Sequence, residues 1–174
     1  LAKAERIEFF AVGHYGVVAN DAQFKFLRFG VPCGAHTDVR LQPLAAGVLK
    51  PRDVVVVISS SGRVDDLLAI VDTARERGAT VVAVSASQSP LARKADVALI
   101  VDHVEDVATH LPMVSRILHL LVIDILAVGV AMKLGGETTA ELPQVPVARL
   151  DEAAPVAGAR AVAPGVSTAR PLAG

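Results

Sequence analysis

Val54-Val55-Val56-Val57-Ile58-Ser59-Ser60-Ser61-Gly62-Arg63 decides the fold class of this chain: five apolar residues run straight into three hydroxyls and a glycine. The run reads as a strand buried on both faces. An amphipathic helix follows, with Leu67, Leu68, Ile70, Val71 and Ala74 on its inner side and Gly78 as its C-cap. A strand that delivers hydroxyls and a glycine to a helix N-terminus is built to hold an anion. The first helical turn leaves N–H groups without internal partners, and the macrodipole places partial positive charge there. The pattern points to a phosphate or a phosphorylated small molecule. A purely structural turn is the competing reading, since serine is a common N-cap. Asp65 and Asp66 also place negative charge in the same turn, with Arg63 to offset it.

Outward from this unit, strand and helix patterns alternate. Ile7–Val12 reads as the first strand, followed by the turn Gly13-His14-Tyr15-Gly16 and a helix over Val17–Phe29 in which Asp21 and Lys25 pair at i,i+4. Pro32–His36 reads as a short second strand, and Asp38 as the N-cap of a helix ending near Leu49. Val54–Ile58 is the third strand, Thr80–Val84 the fourth and Val97–Val101 the fifth. A long helix is expected from about His110 to Leu134. Apolar strands separated by helices imply a three-layer αβα sandwich around a five-stranded parallel sheet of flavodoxin-like type. Ligands of such sheets bind beyond the carboxyl ends of the strands. The turns at 13–16, 59–63, 85–89 and 102–106 are therefore expected to converge on one crevice. Residues 1–136 are assigned to this domain. Residues 137–174 carry Pro143, Pro146, Pro155, Pro164 and Pro171 with no sustained period, and read as an extended or disordered tail.

Composition narrows the function classes. With 174 residues, 52% hydrophobic and a net charge of −1, the chain has no basic stripe of the kind that binds nucleic acid. Tyr15 is the one tyrosine and Trp is absent, which leaves no base-stacking platform. Cys33 is the one cysteine, so an internal disulfide is excluded, and the reading is a reducing, cytoplasmic setting. The five histidines lack ligand spacing, so neither a metal site nor a cofactor is expected. Ile117–Met132 is strongly apolar, but it contains His119 and Asp124 and falls short of the roughly 20 residues that span a bilayer. It is read as a buried helix, with no membrane partner.

Three sets of residues carry a family resemblance. Ile58-Ser59-Ser60-Ser61-Gly62, then Ala74 with Gly78-Ala79, then Ser89-Pro90-Leu91-Ala92 with Ala95-Asp96 resemble the SIS (sugar isomerase) domain. Ser115 to Gly129 is similar to the closing helix of RpiR-type bacterial transcription regulators. Ala22-Gln23-Phe24-Lys25-Phe26 with Arg28-Phe29 resembles their HexR-like branch, some of whose relatives are fused to a glucokinase. The resemblance covers about residues 5–134. It implies a sensor of a sugar phosphate that signals to a helix-turn-helix domain, and DNA contact only through that domain, which this sequence does not contain. It also implies a ligand set of Gly13, His14, Tyr15, Ser59, Ser60, Ser61, Gly62, Arg63 and Glu105. Tyr15 and Val64 stand where the family has hydroxyl residues that help to hold phosphate. Each such bond is worth roughly 1.5–3 kcal/mol, so weaker phosphate binding or a different ligand is expected.

Two other classes stay open. In an aldose–ketose isomerase, Glu105 is the base and His110 or His119 the acid partner. Asp102, His103 and Asp106 make that loop read as solvated, which is a poor setting for a base. The other class is an assembly module that has lost its ligand. The expectation for the effector domain is no catalytic residue, and a homodimer or tetramer formed through the apolar helix of 111–134 with Phe24, Leu27 and Phe29.

Overall fold

The computed structural model describes residues 1–103 and 114–138. Five strands, β1 (Ile7–Ala11), β2 (Cys33–His36), β3 (Val54–Ile58), β4 (Thr80–Ser85) and β5 (Val97–Ile100), form one sheet. Every pairing is parallel and the order is β2-β1-β3-β4-β5. The helices between them are α1 (Gly16–Leu27), α2 (Gln42–Gly47), α3 (Asp65–Glu76), α4 (Pro90–Lys94) and α5 (Val114–Thr138). This is the expected parallel αβα arrangement.

The two cores follow from the period of 2 along each strand. Phe9, Val54, Val56 and Ile58 pack with Val18, Ala22 and Phe26 of α1 and Ile123, Ala127 and Val130 of α5. Phe10, Val55 and Val57 face the other way, against Leu67, Ile70, Val71 and Ala74 of α3 and Leu91 of α4. Both faces of β1 and β3 are thus dry, which is why those strands read as continuous apolar runs. Glu8 breaks the run without breaking the core. Its carboxylate bonds His36 Nε2 at 2.7 Å and lies 3.5 Å from Arg6, whose guanidinium also holds Asp53 at 2.6 Å. Gly34 sits opposite Glu8 in the register, and a Cβ there would fall on the Glu8 carboxylate.

Some boundaries differ from the sequence reading. The strands at β1, β2 and β5 are each one residue shorter than expected, and α1 ends at Leu27. α5 runs to Thr138, so residues 137 and 138 are helical rather than part of the expected tail, the rest of which lies outside the described residues. Asp38 does not cap α2. Its carboxylate takes the Arg40 N–H at 2.8 Å and its carbonyl takes those of Leu41 and Gln42, so a turn occupies 38–41 and the helix starts later. The helix over Ile117–Met132, expected to be covered partly by its own domain and partly by a partner subunit, has one side covered by this chain. α5 buries Ser115, His119, Ile123, Ala127 and Val130, while Ile117, Leu121, Ile125, Val128 and Met132 are 51–76% exposed. The helix is apolar on nearly every side, but the sheet covers one stripe of it. By length and composition Val114–Gly135 could also cross a membrane. Its packing on the sheet and the Lys25–Asp124 ion pair suit a helix covered by protein.

Arg52, in the turn before β3, has φ +80°, where an L side chain is strained. Arg52→Gly is expected to stabilise the fold by roughly 0.5–1 kcal/mol, a rise of a few degrees in melting temperature. The loss of the exposed Arg52–Glu5 pair at 3.0 Å offsets little of this. An unchanged or lower Tm would show that the left-handed turn costs nothing here.

Candidate functional site

In a 2-1-3-4-5 sheet the chain reverses its direction of travel between β1 and β3, which leaves a crevice beyond their carboxyl ends. Ala11 pairs with Ile58 there, so the turn Gly13–Tyr15 and the loop 59–63 leave the sheet side by side. Two of the four expected turns therefore flank the switch point directly.

The 59–63 loop is tightly organised. Ser59 is buried, and its Oγ accepts the Gly62 N–H at 3.1 Å; Ser61 is exposed, and its Oγ accepts the Arg63 N–H at 3.4 Å. Accepting leaves each hydroxyl hydrogen available as a donor. The Gly62 N–H, expected to hold an anion, is already bonded to Ser59. An anion taking that N–H must displace the Ser59 oxygen. The N-cap of α3 is Val64, which provides no side-chain cap. The free N–H groups of that first turn are thus uncapped, with the exposed Asp65 and Asp66 carboxylates beside them. Arg63 is exposed at the loop tip.

A second hydroxyl-bearing turn supports this loop. Gly62 has φ +57°, and its carbonyl accepts the Leu91 N–H at 3.1 Å. A Cβ on Gly62 would lie 2.5 Å from Ser85 Oγ and 2.6 Å from Ser89 Cβ. Ser85 donates to Ser89 Oγ at 3.0 Å, and Ser89 caps α4 by accepting the Ala92 N–H. The Ser60 carbonyl takes the Ala86 N–H at 3.2 Å. Beyond β5, Asp102 accepts the Ser87 N–H at 2.9 Å, and the bonds from Ser87 hold its carboxyl below the usual range. The turns at 59–63, 85–89 and the start of 102–106 thus join through hydrogen bonds. Ser85 and Ser89 have structural roles that the sequence reading did not assign. Their signal was visible as a second serine-rich strand exit.

The turn after β1 is joined elsewhere. Gly13 and His14 are exposed, while the Tyr15 hydroxyl bonds Ser115 Oγ at 2.9 Å and its ring meets that of His119 at 5.0 Å. Nδ1 of His119 lies 2.7 Å from the Ser115 carbonyl, so that nitrogen carries the hydrogen. Among the described residues its buried Nε2 has no hydrogen-bond partner of good geometry, and the Val84 backbone lies nearby. Burial holds the His119 pKa below its ordinary value, the Ser115 carbonyl opposing this. The unfolded chain therefore binds the extra proton more readily, and His119 takes stability away as the pH falls below 6.5. Glu105 and His110 lie outside the described residues. Cys33 is half-buried, bonds the Val31 carbonyl at 3.1 Å, and has its thiol pushed up to about 11 by burial. It is not an activated nucleophile. Among the described residues no cluster of three His, Cys, Asp or Glu could hold a metal ion.

A parallel α/β sandwich with a hydroxyl-bearing turn beside its β1/β3 switch point is the class of fold that these strands and loops define. Within it the chain belongs to the SIS domain family, which matches residues 1–129. The chain is 49% identical to the bifunctional protein Glk of Burkholderia orbicola over 141 residues, 81% of this chain and 22% of that protein. It is 40% identical over 145 residues to the HTH-type transcriptional regulator HexR of Escherichia coli K12, 83% of this chain and 50% of the regulator. The chain thus spans about half of HexR and about a fifth of Glk. Its fold matches that of the Vibrio vulnificus NanR protein complexed with ManNAc-6P, with a TM-score of 0.71 at 23% identity, covering 77% of this chain and 52% of that one.

Proposed function

We propose that residues 1–136 form the effector domain of a cytoplasmic regulator of carbohydrate metabolism. The effector is a sugar phosphate, bound at the β1/β3 switch point. The observation that carries this reading is the 59–63 loop: Ser59 and Ser61 keep donor hydrogens beside an uncapped helix N-terminus. The similarity to HexR supports a regulatory rather than catalytic use, and the Vibrio vulnificus NanR protein complexed with ManNAc-6P shares the fold. DNA contact would need a separate helix-turn-helix domain, as the HTH-type name of HexR indicates.

The test is a calorimetric screen of the domain with hexose phosphates, 6-phosphogluconate and 2-keto-3-deoxy-6-phosphogluconate. Binding of at least one is expected. Ser61→Ala should weaken it about tenfold or more, the value of one hydrogen bond to a charged group. Undiminished binding in a folded Ser61→Ala domain would remove this loop as the anion site. No interconversion of glucose 6-phosphate and fructose 6-phosphate is expected. Turnover that disappears in Glu105→Gln would favour the isomerase reading instead.

A further inference from the structure

Tyr15 belongs to two parts of the molecule at once. Its backbone forms the turn after β1 at the switch point, its N–H bonded to the Val12 carbonyl at 3.3 Å. Its side chain reaches the first turn of α5, a hundred residues away in sequence, where it bonds Ser115 Oγ and packs on His119. Ser115 and His119 are both fully buried, and the imidazole is tied back to the Ser115 carbonyl. The beginning of α5, His119 and Tyr15 therefore form one packed unit. The rest of the turn, Gly13 and His14, is exposed. α5 in turn exposes Ile117, Leu121, Ile125, Val128 and Met132.

We propose that Tyr15 is a latch between the effector site and α5: a phosphosugar at the switch point draws the Tyr15 hydroxyl away from Ser115 and loosens the start of α5. A phenol has one hydrogen. While Ser115 takes it, a phosphate oxygen cannot. The inference rests on the effector reading above and adds the means by which an occupied site alters the helix. By linkage, whatever the ligand must break opposes its binding to the same extent.

The test compares wild type, Ser115→Ala and Tyr15→Phe with glucose 6-phosphate, 6-phosphogluconate and inorganic phosphate as probes. Ser115→Ala removes the latch's partner and leaves the phenol, so the probe that binds wild type should bind about three- to tenfold more tightly. Tyr15→Phe keeps the ring against His119 and should show no such gain. Hydrogen exchange across residues 115–121 should rise on probe binding in wild type, and should already be raised in probe-free Tyr15→Phe. Equal affinity of wild type and Ser115→Ala would mean that Tyr15 keeps Ser115 in the bound state. That result, or unaltered exchange at 115–121, overturns the latch and leaves the effector reading intact. If no probe binds either protein, the effector reading itself fails, and the latch falls with it.

Discussion

Gly62→Ala should destabilise the domain by about 2–4 kcal/mol. Two costs combine. The residue has φ +57°, a conformation that costs an L side chain roughly 1–2 kcal/mol. The new Cβ would also lie 2.6 Å from Ser89 Cβ, an atom fixed at the start of α4 that cannot swing aside. Overpacking of this kind typically costs about 1–3 kcal/mol. Gly13→Ala separates the two terms, because Gly13 has φ +58° but nothing within 4 Å of a built Cβ. It should show the backbone cost alone, about 1 kcal/mol. Urea denaturation of both variants is the measurement. Equal losses at the two positions would mean that the 59–63 loop does not depend on close approach to Ser85 and Ser89. The phosphosugar affinity of a folded Gly62→Ala domain should fall as well, since that approach shapes the loop.

The domain is expected to pair as a homodimer through α5, and Leu121→Glu with Ile125→Asp should then raise its dissociation constant at least about a hundredfold. Ile117, Leu121, Ile125, Val128 and Met132 recur at near-helical spacing and form one stripe along α5. Phe24 (64%) and Leu27 (48%) of α1 are exposed too, and Lys25 of α1 is paired with Asp124 of α5. Burying the α5 stripe from two copies would contribute roughly 10 kcal/mol, each side chain being about half-exposed at the outset. Association itself costs about 4–15 kcal/mol, so α5 alone comes close to balance and the α1 residues tip it. Twofold pairing is the commonest closed arrangement and lets one self-complementary face cover itself. Sedimentation at micromolar concentration decides the matter. A wild-type domain that stays monomeric and soluble there would sink the idea. In a longer regulator, such a pairing would set the spacing of two DNA-reading heads, and a change at the start of α5 would be felt across it.

The class of fold was written locally. Val54–Ile58 and Thr80–Val84 are apolar at every position or nearly so, which only a sheet covered on both faces accommodates. The helices between them then force parallel strands, and the binding end follows from the direction of those strands. The serines and glycine at 59–62 were legible for the same reason, as a short contiguous signal. What the tertiary structure alone decided depends on residues far apart in the chain. Gly62 looked like a phosphate-loop glycine, yet its need for a missing side chain comes from Ser85 and Ser89, more than 20 positions on. The Gly62 N–H looked free, and Ser59 claims it. Tyr15 reads as a ligand-binding residue standing where the family has a smaller hydroxyl, and its own hydroxyl is bonded to Ser115. Hydropathy marks α5 as a helix that one domain cannot cover, without saying which face the sheet reaches. Periodicity and turn chemistry act over a few residues and so can be read from order alone. The partner of a hydroxyl, and the cover of a helix face, are set by which distant segments the sheet brings together.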